Sequence, residues 1–141
     1  MGTFLLKTEP GDYSYADLVR EKTTRWTGVS NPAALAALRS MRKGDEAFIY
    51  HTGDEKAIVG LATVSRGAYE DPDRRGLTDA GEPKFAVVDL KPVRAVRTPL
   101  TLAQIKPDPR FKDFALVRQS RLSVMAVPPD LDKIIRSLTG L

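Results

Sequence analysis

Short apolar runs separated by turn residues organise this chain, and their spacing predicts its elements. Phe4-Leu5-Leu6 is an unbroken apolar run closed by Pro10-Gly11, the pattern of a buried strand entering a turn. Ser14 precedes Tyr15-Ala16-Asp17-Leu18-Val19, and a carboxylate three places after the hydroxyl resembles a capping box, so a short helix opens there. Asn31-Pro32 starts a second helix. The Asn side chain accepts from free N–H groups, Pro suits the first turn, and Leu35, Leu38 and Met41 mark one apolar face before Gly44 ends it. Ala47 and Ile49 alternate with Phe48 and Tyr50, which predicts a strand; Gly53-Asp54 turns the chain, and Ala57 to Val64 returns it as a hairpin. Gly67 to Lys84 reads as a long loop, Phe85 to Val93 as another strand, Thr101 to Ile105 as helical, and Arg121 to Val127 as extended. Pro128-Pro129-Asp130 leads into a last amphipathic helix carrying Leu131, Ile134, Ile135 and Leu138.

Strands and helices alternate without the regular βαβ rhythm of a doubly wound parallel sheet. The expectation is an α+β fold with a curved, mostly antiparallel sheet, built as one domain over residues 1–141. Composition agrees: 42% hydrophobic and 28% charged residues are the proportions of a globular protein, not of a disordered or fibrous one. The formal net charge of +4 favours polyanionic partners wherever the basic groups cluster. The apolar stretch after Met1 meets Lys7 and Glu9 too soon for a signal h-region or a membrane span. With no cysteine to mark an oxidising compartment, a cytoplasmic protein is expected.

Several chemistries find no residues to carry them. Without cysteine there are no disulfides, thiolate zinc sites or thiol nucleophiles. His51 is the single histidine, so neither an HExxH zinc site nor a histidine pair can form within one chain, and no metal is expected. No GxSxG elbow, Walker A loop or GxGxxG run occurs, which argues against a serine triad and against nucleotide cofactors. Asp71 with Asp73, and Asp45 with Glu46, are carboxylate pairs in surface-like context that solvation explains.

Four segments remain that are unusual together: Phe4-Leu5-Leu6-Lys7-Thr8-Glu9-Pro10, Trp26-Thr27-Gly28-Val29-Ser30-Asn31-Pro32, Phe48-Ile49-Tyr50-His51-Thr52, and Leu116-Val117-Arg118-Gln119-Ser120-Arg121-Leu122-Ser123-Val124. In this order and spacing they resemble the EVE domain family, from Phe4 to about Leu138. The resemblance implies a PUA-like fold related to YTH domains, a curved sheet or partial barrel flanked by helices that form a pocket for one base. It further implies a non-catalytic module that recognises a modified base in DNA or RNA, with no cofactor. The chain departs from many members of that family at Tyr15, where they carry Trp, at Ser30, where they carry Arg, and at Ala36 and Ala37, where they carry Asn.

Each residue of these segments also has a plainer reading. Trp26 could stack on an extruded base, a contact worth about 1–3 kcal/mol, or serve as a core anchor. Lys7, Thr8 and Glu9 leave a buried strand where recognition groups are often placed. Glu9 could accept from an exocyclic amino group and Lys7 could meet a phosphate, or the two could form a surface ion pair. Thr27 would add polar readout. Tyr50 and His51 lie on alternate faces of a strand, so one should point inward and close the pocket, with a structural histidine as the equal alternative for His51. Asn31 is a helix cap or a ligand contact. Arg118 and Arg121 match phosphate with paired N–H groups, or bond carbonyls to brace the sheet. Two rival functions stay open: an enzyme acting on nucleic acid or a nucleotide with Glu9 or His51 as general base, and a binder of protein or a small metabolite on the same scaffold.

Overall fold

The computed structural model describes residues 1–141 and contains six strands, five α-helices and a short 3-10 turn at Pro109–Phe111. In chain order these are β1 (Thr3–Thr8), α1 (Tyr15–Glu21), β2 (Thr24–Trp26), α2 (Pro32–Ser40), β3 (Glu46–His51), β4 (Ala57–Glu70), β5 (Ala86–Thr101), α3 (Leu102–Ile105), α4 (Ala115–Arg118), β6 (Val124–Ala126) and α5 (Pro129–Thr139). All six strands join one sheet in the order β2-β5-β4-β3-β1-β6. Only β1 and β3 run parallel, so the expected mostly antiparallel α+β architecture is what forms.

The sheet is covered on both faces. Phe4, Leu6, Ala47 and Ile49 point into a core shared with Tyr15, Leu18, Trp26, Leu35 and Leu38. Leu5, Phe48 and Tyr50 point the other way, into a core closed by Ile105, Phe111, Phe114, Leu116, Leu131 and Ile135. This explains why β1 and β3 read as near-continuous apolar runs: neither side meets water. It also corrects the expectation that only one of Tyr50 and His51 points inward, for both are buried.

β4 and β5 are longer than their apolar cores predict, 14 and 16 residues, and β4 takes in the start of the stretch read as a loop from Gly67. Four register shifts interrupt their pairing, and such bulges bend a strand and sharpen its twist, which curls the sheet into a half-barrel. Gly60 lies beside one of these shifts, and a glycine is needed there because the Tyr15 ring occupies the space a Cβ would fill. The Tyr15 hydroxyl then donates to Leu61 O at 2.8 Å and ties α1 to β4.

The helix starts follow the sequence signals. Ser14 and Asp17 form the capping box, with Ser14 Oγ accepting from Asp17 N and Asp17 Oδ2 from Ser14 N. Asn31 Oδ1 accepts from Ala33 N and Ala34 N, at 2.9 and 3.1 Å. Thr101 and Gln104 make a second capping box for α3. The α5 side chain of Arg136 bonds Asp132 at 2.7 Å and Glu46 at 2.8 Å, fastening that helix across the edge of β3. Burial pulls the Arg136 pKa down, but the two carboxylates outweigh it and leave it raised. No helix is long and apolar enough to cross a membrane.

Asp45 and Asp71 overturn the surface reading of the carboxylate pairs. Both are buried, Asp45 accepting from Gly2 N and Arg42 N, Asp71 from Asp73 N. They hold turns together by satisfying backbone donors that would otherwise be orphaned.

Candidate functional site

The C-terminal end of β1 gathers segments that are far apart in the chain. Consecutive residues of a strand point to opposite faces, so Lys7 and Thr8 open onto different clefts. Eight of the ten residues singled out from the sequence line three clefts here, and the remaining two, Glu9 and His51, line none of them.

The first cleft, about 330 Å³, is lined by Thr8, Tyr13, Glu21, Thr24, Arg25, Trp26 and Thr27. Trp26 belongs to β2, paired with Val88 of β5, and not to a turn. It is 8% exposed and meets the Tyr13 ring edge to face at 6.2 Å between centroids. So little exposed surface is well short of an indole face. In this arrangement Trp26 forms a wall of the cleft and anchors the first core, while its Nε1–H, which has no acceptor within the protein, keeps contact with solvent. Most polar neighbours are already engaged: Thr8 Oγ1 donates to Tyr13 O at 2.7 Å, Tyr13 Oη to Glu21 at 2.7 Å, and Arg25 Nε to Tyr69 Oη at 3.2 Å. Thr27 is exposed and uncommitted.

A second cleft of about 290 Å³ joins Asn31 and Ala33, at the start of α2, to Arg118, Gln119, Ser120, Arg121 and Leu122. The Asn31 carbonyl is spent on capping, but its NH₂ group makes no bond. Arg118 stands 3.5 Å from Asp113 with both side chains mostly exposed, a pair worth little in water, and Arg121 has no acidic partner. Neither arginine braces the sheet by bonding carbonyls. Arg121 to Val127 was expected to be extended, but Gln119 to Ser123 form the turn that carries these groups, and β6 begins only at Val124.

The third cleft, about 250 Å³, lies on the other sheet face and is lined by Lys7, Tyr50, Thr52, Gly53, Lys56, Leu102, Lys106, Leu116 and Ser120. Lys7 Nζ donates to Ser120 O at 3.0 Å and stands 5.8 Å from the Tyr50 ring centroid, and burial lowers its pKa. Lys7 is thus no partner of Glu9. Glu9 accepts from Gly11 N at 3.0 Å and from Thr52 Oγ1 at 3.3 Å, and its carboxylate lies over Gly53, whose φ of +75° turns the hairpin. His51 is structural. Its Nε2 accepts from Tyr15 N at 3.0 Å, which places the ring proton on Nδ1, 2.8 Å from Glu55 Oε1.

Sequence reasoning passed over Tyr13, Arg25, Lys56 and Lys106. No local pattern marks them, since Leu102 N bonding Lys56 O at 2.8 Å is what sets α3 beside the hairpin and brings Lys106 near Lys56. The largest concavity, about 530 Å³, lies elsewhere, an apolar groove between α1 and β5 lined by Tyr15, Ala16, Val19 and Pro92 to Ala95.

Fold and clefts together define a small α+β protein with a curled half-barrel sheet and a polar site where three distant segments meet at one sheet end. The chain belongs to the EVE domain family, whose model matches residues 3–138. Among curated proteins it is similar to human thymocyte nuclear protein 1, with 29% identity over 96% of this chain and 72% of that protein. Among solved structures it resembles a Rhodopseudomonas palustris protein, with a TM-score of 0.88, 39% identity, and coverage of 99% of this chain and 94% of that one. It also resembles human THYN1, solved in complex with DNA containing 5-methylcytosine, with a TM-score of 0.86, 27% identity, and coverage of 100% and 99%.

Proposed function

We propose that this protein is a non-catalytic module that binds nucleic acid and seats one base, modified in its preferred target, at the end of β1. The observation that carries this reading is the convergence of Thr8, Trp26 and Thr27 on one side with Asn31, Arg118 and Arg121 on the other, around a turn whose arginines have no buried counter-charge. The human relative solved with 5-methylcytosine DNA supports the choice of ligand class. In this reading Thr27 and the free Asn31 amide meet the base edge, the exposed rim of Trp26 packs against the ring, and the two arginines hold phosphate oxygens, while Glu9 stays with Gly11, Thr52 and the Gly53 turn. Extruding a base from a duplex costs a few kcal/mol, so single-stranded targets bind more tightly.

The test is titration of matched oligonucleotides containing cytosine or 5-methylcytosine against the wild type and an Arg118→Ala, Arg121→Ala double variant. Tighter binding of the methylated strand, and a salt dependence flattened in the variant, support the reading. Equal binding of both strands by both proteins overturns it. The geometry gives less to the enzyme reading, because both His51 nitrogens are engaged with Tyr15 and Glu55. Loss of a measured turnover in Glu9→Gln would revive it.

A further inference from the structure

The third cleft gathers three lysines and the Tyr50 hydroxyl, donors that no carboxylate pairs with. Tyr50 is 3% exposed, its hydroxyl makes no hydrogen bond, and no fully buried polar side-chain atom is left unpartnered, so that hydroxyl faces the cleft. Burial raises the Tyr50 pKa, which keeps the hydroxyl a donor at neutral pH. Lys7 is half-buried and spends one of its three N–H groups on Ser120 O. Lys56 and Lys106 complete the lining, and no carboxylate is within ion-pairing distance of any of the three lysines, every acidic partner in the molecule being matched to Arg or His. The Glu9 carboxylate lies over Gly53, and Asp54 and Glu55 line an adjoining concavity that Lys56 and Lys106 share. Water meets the remaining donors in the open cleft, and an acceptor-rich ligand can take its place.

We propose that this cleft is a second phosphate site, formed by Lys7, Lys56, Lys106, the Tyr50 hydroxyl and Ser120, which takes the backbone phosphate of a nucleotide flanking the seated base. Ser120 lines both this cleft and the arginine cleft, so a strand held by Arg118 and Arg121 reaches Lys7 by crossing that residue. The strand therefore wraps over the end of β1 from one sheet face to the other. This rests on the nucleic-acid reading above for the source of the phosphate, but not for the site itself.

Two measurements separate the site from its source. Inorganic pyrophosphate titrated into the wild type and followed by amide NMR shifts should move residues 50–56, 102–106 and 116–120, and Tyr50→Phe should weaken those shifts severalfold. Unmoved amides overturn the site. Single-stranded oligonucleotides should bind Lys56→Gln, Lys106→Gln with a log K against log salt slope flatter by about 1.4, roughly 0.7 for each lysine that meets a phosphate. A Lys43→Gln, Lys133→Gln variant carries the same charge loss on exposed residues remote from the cleft. A slope change equal in the two variants overturns the track. Pyrophosphate shifts in a protein that binds no oligonucleotide would keep the phosphate site and overturn the nucleic-acid source.

Discussion

The clefts on the two faces of β1 differ in how far the protein has already satisfied its own polar groups. Beside Trp26, hydroxyls and cations are paired internally: Thr8 to Tyr13, Tyr13 to Glu21, Arg25 to Tyr69. Beside Tyr50, a buried hydroxyl and three ammonium groups have no acid to meet. The difference separates two ways of using an aromatic residue. Trp26 closes a core and exposes a rim, whereas Tyr50 closes a core and leaves a functional group pointing out.

The sharpest way to break this comparison is Trp26→Ala. Removing an indole from the first core should cost about 3–5 kcal/mol, read as a shift in the urea midpoint. A cost under about 1 kcal/mol would mean that Trp26 is a ligand platform and not an anchor. Next in size, Tyr15→Phe and Tyr50→Phe remove one hydroxyl each from opposite faces. Tyr15→Phe leaves Leu61 O short of a donor and should cost about 1–3 kcal/mol, while Tyr50→Phe should change stability by less than about 0.5 kcal/mol because no internal bond is lost. Equal costs would show that the Tyr50 hydroxyl has a partner inside the fold.

Ser14→Ala tests whether α1 stands on its cap or on the Trp26 core alone, and about 1 kcal/mol should be lost. The same cap has a pH signature. Asp17 titrates below its ordinary value of 3.8, through the Ser14 backbone donor and then Arg20. A carboxylate depressed in the folded state binds fewer protons there than in the unfolded chain. Its contribution is therefore present above pH 3.8 and is lost as pH falls through the lower folded value. Asp17→Asn should remove that part of the acid limb in a denaturation series. The smallest effect on stability belongs to Arg118→Ala with Arg121→Ala, within about 0.5 kcal/mol for exposed side chains, even though nucleic-acid binding should lose about 1.4 from its salt slope.

Much of this was legible along the chain. The Ser14–Asp17 capping box, the Asn31 cap, the hairpin at Gly53 and the final helix after Pro128 depend on neighbours within four residues, and they formed where the residues indicated. The four motifs marked the family and held the ten singled-out residues, eight of which line the three clefts. Less was legible where an outcome depended on a distant partner. β2 escaped notice because three residues carry no period and owe their strand to β5. Asp45 looked like a surface charge because one backbone donor it satisfies, Gly2 N, lies 43 positions away; Asp71 bonds a neighbour two places on, and only its burial was decided by packing. The Lys7–Glu9 pairing failed because Lys7 bonds Ser120 O, 113 positions away, while Glu9, past the end of β1, is held by Gly11 N and Thr52 Oγ1.

Local hydrogen bonding and side-chain shape, written in consecutive residues, are enough to set the elements and the family of this protein. Which side chains remain free to meet a ligand is another matter. A cap uses up an acceptor within one turn, but only the packed sheet brings distant backbone and side-chain partners into reach. That is why Asn31 keeps only its amide, His51 keeps nothing, and the Tyr50 hydroxyl stands open between lysines that the chain places 49 and 50 residues apart.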